Sequence, residues 1–556
     1  MAEAKPDNLT PDSEHDHFFS AAKIVASLTM VSRVLGLVRD LVLVPLGLPA
    51  IADVFWTAFG IPHMFRRLFG EGALSAAFVP VFTETAEKDG WARAKKVLAN
   101  TSGLLAVLLT VLVAAIEIGL AIWLVVGDHS SAGMAYKQRL TIQFTMIMLP
   151  FTLFICMLAL CSSALNARGH FAYPAAAPIM LNVGLIFTAL VVAPAISGAD
   201  VTRFRVVGVG LVVSSIVQLI GAIWLLKRIG IFARWNLRPI LPEIRQIARR
   251  MGPTVIPLGL VQFGDLLMRF IALALTRTEA APWLPLEPGV IRGQYLSGRL
   301  YQLPLGVLAI SIATAVFPLM SRCSARGDMP GLRDVINRAL RLCMFLAIPS
   351  GVALILLAEP TIVLGFQRGD FSAADSTMAA GMLRMYCLGM PAYFCSHILL
   401  RAFFARKDTR TPMYSAVVAM VLSLILMYLG SYTPLRSDAL GLATSVAAIL
   451  NVTWLLWVLH KKIGKLGMRS MLASTTKTIV ATIVMAGAII GMQLALQAAM
   501  ENWWPGAVRI GQLVVLIGSV LVGSGTFLIV ALLLKCRELG ELRRKSTKEN
   551  SPANTA

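Results

Sequence analysis

Apolar stretches of about 20 residues, long enough to cross hydrocarbon as helices, recur along the chain with short polar connections between them. They fall at 22–47, 51–83, 97–126, 140–165, 173–195, 204–228, 252–276, 295–320, 336–358, 377–404, 412–431, 438–460, 471–497 and 509–535. The pattern predicts an all-α polytopic membrane protein of about 14 transmembrane helices. One region departs from a plain apolar span: 31–82 carries Arg33, Arg39, Asp40, Asp53, Arg66, Arg67 and Glu71. An arginine at the centre of a spanning helix costs about 2.5–3.5 kcal/mol even on insertion scales, so these side chains are expected to line something polar rather than face lipid.

Composition agrees with the pattern. Of 556 residues, 57% are apolar and only 14% charged, and the mean hydropathy is +0.75, which excludes an ordinary soluble domain. The net charge of +21 raises nucleic acid as a partner, but the basic residues lie in short clusters between apolar spans. That is how topology signals are distributed, not a continuous nucleic-acid stripe, so no nucleic acid is expected. Clusters such as Lys88, Arg93, Lys95 and Lys96, or Arg234, Arg238, Arg245, Arg249 and Arg250, fall on alternate connections with the tail residues Arg537, Arg543, Arg544 and Lys545. The positive-inside rule then places both termini in the cytosol. Residues 1–20 hold five acidic residues and no apolar run, which predicts a disordered cytosolic tail and no cleaved signal peptide. The seven cysteines suggest neither a disulfide framework nor a metal site.

An internal repeat is visible. Arg168 and Pro174 recur as Arg406 and Pro412, and Ala77 and Pro80 as Ala315 and Pro318, all at an offset of 238 residues. Six spans per unit keep the same orientation, so the halves are related by an axis along the membrane normal. The expected organisation is an N-lobe at 21–230, a C-lobe at 231–465, two extra helices at 466–536 forming a groove for a lipid tail, and a basic cytosolic tail at 537–556. Such two-lobed bundles hold substrate near the midplane between the lobes. Arg33 and Asp40 are seven apart and share a helix face, with Arg39 turned away by about a third of a turn. Arg67 with Glu71, and Asp265 with Arg269, are spaced for intrahelical ion pairs. Arg33, Arg39, Arg66 and Arg299 leave basic charge in excess, and a planar multi-donor cation suits phosphate, so the implied cargo is a phosphate or diphosphate.

Prolines bend several spans: Pro253 and Pro257 open the seventh, Pro304 interrupts the eighth, and Pro349 and Pro391 lie in the ninth and tenth. Small residues at four-residue spacing, Gly487 with Gly491 and Ser519 with Gly523, read as close helix packing or as a lipid-facing groove.

The motifs Ser32-Arg33-Val34-Leu35-Gly36-Leu37-Val38-Arg39-Asp40 and Phe65-Arg66-Arg67-Leu68-Phe69-Gly70-Glu71-Gly72, with Gly365-Phe366-Gln367-Arg368-Gly369-Asp370-Phe371 later in the chain, resemble the MurJ (MviN) lipid II flippase family over essentially all fourteen spans. The resemblance implies the MOP exporter fold and export of lipid II, an undecaprenyl diphosphate carrying a disaccharide-pentapeptide. It assigns substrate binding to Arg33, Arg39, Arg66 and Arg299, with Asp53, Glu71, Ser32, His63 and Arg67 around them. His63 stands where the family commonly has Asn, and Gly298 and Gln302 replace an Asp and a Glu beside Arg299. Some members are similar to sodium-coupled transporters; Asp265 is the candidate carboxylate here, but 413–428 contains no second one.

The expected function is a lipid II flippase of the inner membrane working by alternating access, a transporter rather than an enzyme. Its expected energy source is the membrane potential or a monovalent cation, with no other cofactor. Partners are lipid II, membrane lipids and cell-wall synthesis proteins. Two alternatives stand beside it: a cation-coupled MATE-like exporter of the same superfamily, which wants an aromatic or acidic cavity, and, from a different class, a membrane glycosyltransferase or ligase using a polyprenyl-diphosphate donor. The latter needs paired carboxylates near the aqueous face, for which only the scattered Asp128, Glu279, Glu287, Asp370 and Asp375 are available.

Overall fold

A computed structural model describes residues 11–68, 74–126, 132–196, 198–232, 234–503 and 508–540. These residues are helical nearly throughout, with two isolated bridges and no strand among them. The chain divides into two compact units, Met1–Leu273 with Thr278–Trp283, and Ala274–Arg277 with Leu284–Ala556.

The first unit contains α1 (Pro11–Leu43), α2 (Pro49–Phe65), α3 (Leu74–Lys88), α4 (Gly90–Val126), α5 (Ala132–Met148), α6 (Phe151–Ala167), α7 (Ala172–Phe187), α8 (Ala193–Ile196), α9 (Asp200–Arg228) and α10 (Pro242–Ala274), the last reaching into the boundary. The second contains α11 (Val290–Pro304), α12 (Ile310–Ala325), α13 (Met329–Leu356), α14 (Ala358–Phe366), α15 (Ala373–Leu388), α16 (Met390–Ala405), α17 (Arg410–Ser431), α18 (Asp438–Ile463), α19 (Met468–Trp503) and α20 (Val508–Leu533). Among the described residues ten helices are long and apolar enough to cross a membrane, or eleven with the bent pair α15 and α16 taken as one span. The expected first, second and seventh spans are helical too, as α1, α2 with α3, and α10, but are not among those eleven.

The boundary expected between 230 and 231 moves. Up to Leu273, α10 belongs with the first unit, because its side chains bond there: Glu243 to Arg93 at 2.8 Å, Gln262 to Arg67 at 2.9 Å and Arg269 to the Trp56 carbonyl at 3.3 Å. Gly60 makes the close approach possible, since a Cβ there would lie 3.2 Å from Leu266 Cδ1. The segment before α10 is strapped down as well. The buried Asn100 amide donates to the Asn236 carbonyl at 2.8 Å and accepts from the Leu241 N–H at 3.2 Å.

Rings from α2, α5 and α9 fill the core of the first unit: Phe55 lies 4.8 Å from Phe204 and 5.9 Å from Phe144. Lipid is as apolar as these rings, so shape and dispersion rather than exclusion of water hold them together. In the second unit α19 and α20 pack on α13 through Phe345, Met485, Ile489, Phe527 and Ala531. The two small-residue pairs behave differently there. Ser519 is buried and a Cβ on Gly523 would strike Ile489 at 2.7 Å, which is close packing; Gly487 and Gly491 face open space.

The repeat reappears in the backbone. Gly169 at φ +81° and Lys407 at φ +60°, 238 residues apart, each end a helix in the left-handed region. The following N–H closes the same six-residue loop in both, His170 to the Leu165 carbonyl at 2.9 Å and Asp408 to the Phe403 carbonyl at 3.0 Å.

The prolines act unequally. Pro304 is followed by a π turn at Leu305–Ala309, as expected where the missing N–H breaks the ladder. Pro391 sits at the start of α16, after a 46° bend from α15. The backbones of α10 and α13 run unbroken through Pro253, Pro257 and Pro349. At the N-terminus the tail expected to be disordered over 1–20 is helical from Pro11. A proline at the first helical position followed by Asp12 and Glu14 is a favourable helix start. Past α20, Glu538 is 2% exposed and bonds to Ser474 at 2.7 Å, so the basic tail begins as packed structure.

Candidate functional site

In the first unit the expected binding residues lie on α1 and α2. Ser32 is half-buried and Arg33 exposed, while Arg39 and Asp40 are buried at 5% and 4% exposure. Arg39 does not turn away from Asp40 as the helix-face argument expects. Its long side chain curls back, placing Nε 3.0 Å and Nη2 2.6 Å from Asp40 Oδ1. Its Nη1 donates to Asn182 Oδ1 on α7 at 3.2 Å, and the Asn182 amide donates to the Ser32 carbonyl at 3.1 Å. Ser32, Arg39, Asp40 and Asn182 therefore form one network in which the Arg39 charge is already matched. Asn182 was missed by sequence reasoning, although an amide inside an apolar span is a signal of interhelical bonding.

On α2, Asp53 is fully buried and acts electrostatically on Lys137 of α5. The half-buried His63 ring lies 4.2 Å from Phe59, edge to face. Arg66 and Arg67 are half-buried where α2 gives way to a wider turn at 66–68. Arg67 donates to Gln262, the second partner that sequence reasoning missed. Glu71, its expected partner, lies outside the described residues. The spacing of Asp265 and Arg269 does yield the intrahelical pair, at 3.1 Å. That pairing commits Asp265 to a guanidinium, and among the described residues no three His, Cys, Asp or Glu side chains are grouped to hold a metal ion.

Arg299 belongs to the second unit. Its Nε and Nη2 donate to the hydroxyl of Tyr295 one turn earlier, at 3.2 and 3.1 Å. Beside it, a Cβ on Gly298 would meet only the Gln302 amide, at 4.0 Å. Seven residues before Arg299, Arg292 is wholly buried, paired with Asp375 at 3.0 Å and stacked 4.8 Å from the Phe371 ring. Tyr301 lies on the other side of α11, stacked between Tyr386 at 5.0 Å and Tyr393 at 5.2 Å. Of the carboxylates that a lipid-dependent transferase would use, Asp375 is held by Arg292 and Glu287 by Arg277 at 2.7 Å. Asp128 lies outside the described residues.

The family described as Lipid II flippase MurJ matches residues 44–508, well over half the chain. This protein belongs to that family. It is 32% identical over 95% of its length to a Bdellovibrio bacteriovorus protein named "Probable lipid II flippase MurJ", covering 96% of that protein. It is 31% identical over 80% of its length to the Burkholderia cenocepacia "Lipid II flippase MurJ", covering 84% of it. A solved structure of a lipid II flippase MurJ in an inward closed conformation superposes with a TM-score of 0.71 at 23% identity, over 92% of this chain and 98% of that one. An inward-facing multidrug resistance MATE transporter of the MOP superfamily superposes at 0.62 and 16% identity, over 80% and 98%. Those two likenesses establish the fold, and MurJ membership makes the chain a transporter and a multi-pass membrane protein rather than an enzyme.

Proposed function

We propose that this protein flips lipid II, the undecaprenyl-diphosphate-linked peptidoglycan precursor, from the cytosolic to the outer leaflet of the inner membrane by alternating access, with both termini cytosolic. The observation that carries the reading is the likeness, over 95% of the chain, to a relative named as a lipid II flippase. In this reading Arg33, Arg66 and Arg299 are substrate-binding residues suited to the diphosphate, and Ser32, Asp53, His63, Arg67 and Glu71 are the further residues the resemblance assigns to binding. A guanidinium offers the paired donors that a diphosphate accepts. Arg39 is assigned differently: its three nitrogens are engaged by Asp40 and Asn182, so it sets the position of α1 against α7 and of Ser32 between them. With the inside negative, outward movement of negative charge gains about 2.3 kcal/mol per charge per 100 mV, so the potential is the proposed drive.

The test is depletion of the protein followed by sided labelling of the lipid-linked precursor. A flippase leaves precursor accumulated in the inner leaflet; unprocessed precursor in the outer leaflet overturns the reading. Collapsing the potential while keeping the sodium gradient should slow flipping, and an unchanged rate removes the potential as the drive.

A further inference from the structure

The connection between α9 and α10 carries a feature outside the residues assigned to cargo binding. A pocket of about 540 Å³ is lined by Ile240, Pro242, Arg245, Gln246, Arg249 and Arg250. Three guanidinium groups and one amide meet there, and among the described residues no carboxylate lines it. Of the described acids in this part of the chain, Glu243 holds Arg93 through both oxygens, at 2.8 and 3.2 Å, and Glu84, whose charge reaches Arg250, is bonded to Lys88 at 2.7 Å. With arginines and no described carboxylate in its lining, the pocket favours an anion.

What lies beside the pocket says which anion. Residues 234–240 are all exposed, and three of them are large and apolar: Trp235 at 55%, Leu237 at 47% and Ile240 at 55%. They alternate with Arg234 and Arg238. Exposed apolar side chains interleaved with arginines are built for the boundary between headgroups and acyl chains, where both kinds of group are satisfied at once. The segment begins just after the membrane-length helix Asp200–Arg228, so it lies at a membrane face, and the Asn100 strap holds it in a defined path. A soluble phosphate would use the guanidinium groups and leave the apolar row in water. A bilayer phospholipid uses both.

We propose that this pocket binds the phosphate of an anionic phospholipid, with Arg245 and Arg249 on the headgroup and Trp235, Leu237 and Ile240 against the acyl chains. The occupant is a resident lipid, distinct from the transported one, and the site fastens the segment between α9 and α10 to the membrane surface.

Trp235 reports on it directly. The full-length protein is placed in nanodiscs containing either brominated phosphatidylglycerol or the same fraction of brominated phosphatidylcholine, and the Trp235 signal is taken as the difference between the unaltered protein and Trp235→Phe. Stronger quenching by the brominated phosphatidylglycerol is expected. The preference should fall about fivefold for each arginine removed in Arg245→Gln and Arg249→Gln, and should fall with added salt in the protein with all its arginines, a measurement that needs no pocket variant to fold. Equal quenching by the two lipids overturns the proposal, as does a preference indifferent to salt and to the arginines. Displacement by a trace of short-chain polyprenyl diphosphate also overturns it, because the pocket would then belong to the cargo.

Discussion

Arg292 and Asp375 bond at 3.0 Å with the arginine side chain wholly buried and the aspartate 5% exposed. Asp375 also accepts from the Ser372 N–H and hydroxyl, both at 2.8 Å, closing the capping box of α15. One pair thereby ties the first turn of α11 to the start of α15. Removing one partner leaves a buried charge uncompensated, a loss of about 3–5 kcal/mol, whereas apolar residues at both positions are close to neutral. Asp375→Ala should lower the thermal unfolding midpoint sharply. Arg292→Met with Asp375→Leu should restore stability except for about 1 kcal/mol lost with the cap.

Arg39 and Asp40 permit a separation of stability from transport. Arg39→Lys keeps the charge but cannot reach Asp40 and Asn182 together, so cells relying on it should grow poorly although the protein is made. Asp40→Asn should be worse, because Arg39 stays buried without its counter-charge. The double change Arg39→Met with Asp40→Leu is expected to recover the melting temperature and not growth. Recovery of both would reduce the pair to packing.

Lys407 occupies a backbone conformation that its own repeat gives to glycine. A left-handed residue with a Cβ costs about 1–2 kcal/mol, so Lys407→Gly should stabilise the protein by about 1 kcal/mol. A Cβ on Gly169 would meet nothing within 4 Å, so Gly169→Ala should lose about as much through backbone strain alone. Chemical denaturation of the purified protein measures both.

Glu243 gives a dependence on pH. Burial alone raises its pKa, but the hydrogen bond from Arg93, with a backbone bond and the same arginine's charge, holds it below the ordinary 4.5. A carboxylate depressed in the folded state contributes stability that is complete above its unfolded pKa and lost as pH falls through the folded one. The hold of α10 on α4 should therefore weaken below about pH 4.5. Unfolding midpoints measured from neutral pH down to the acid range should fall less steeply for Glu243→Gln than for the unaltered protein.

Most of the spans were legible because an apolar run of bilayer length has few other uses, and the repeat because prolines and helix-ending turns recur at a fixed offset. Relations across helices were not. Periodicity assigns Arg39 and Asp40 to different faces, yet an arginine is long enough to return to its neighbour. Nothing in a one-dimensional pattern says that Asn182 stands opposite Arg39, or Gln262 opposite Arg67, since register between helices is decided by packing. Counting six spans put a boundary at 230, while the bonds made by Glu243, Gln262 and Arg269 carry α10 into the first unit. For Arg33, Arg66 and Arg299 residue type and position were legible, and their transport role belongs to the proposed function.

Asn100 grips the segment leading to α10 by its peptide groups and not by its side chains. The position that grips is thus confined to one residue type: aspartate lacks the donor, and glutamine is a methylene too long to serve both bonds from the same backbone. The stretch that is gripped can change as long as it keeps apolar residues interleaved with basic ones. Across lineages residue 100 should stay asparagine while 234–240 drift, letting the charge and greasiness of that strip be retuned to each organism's membrane without disturbing its course.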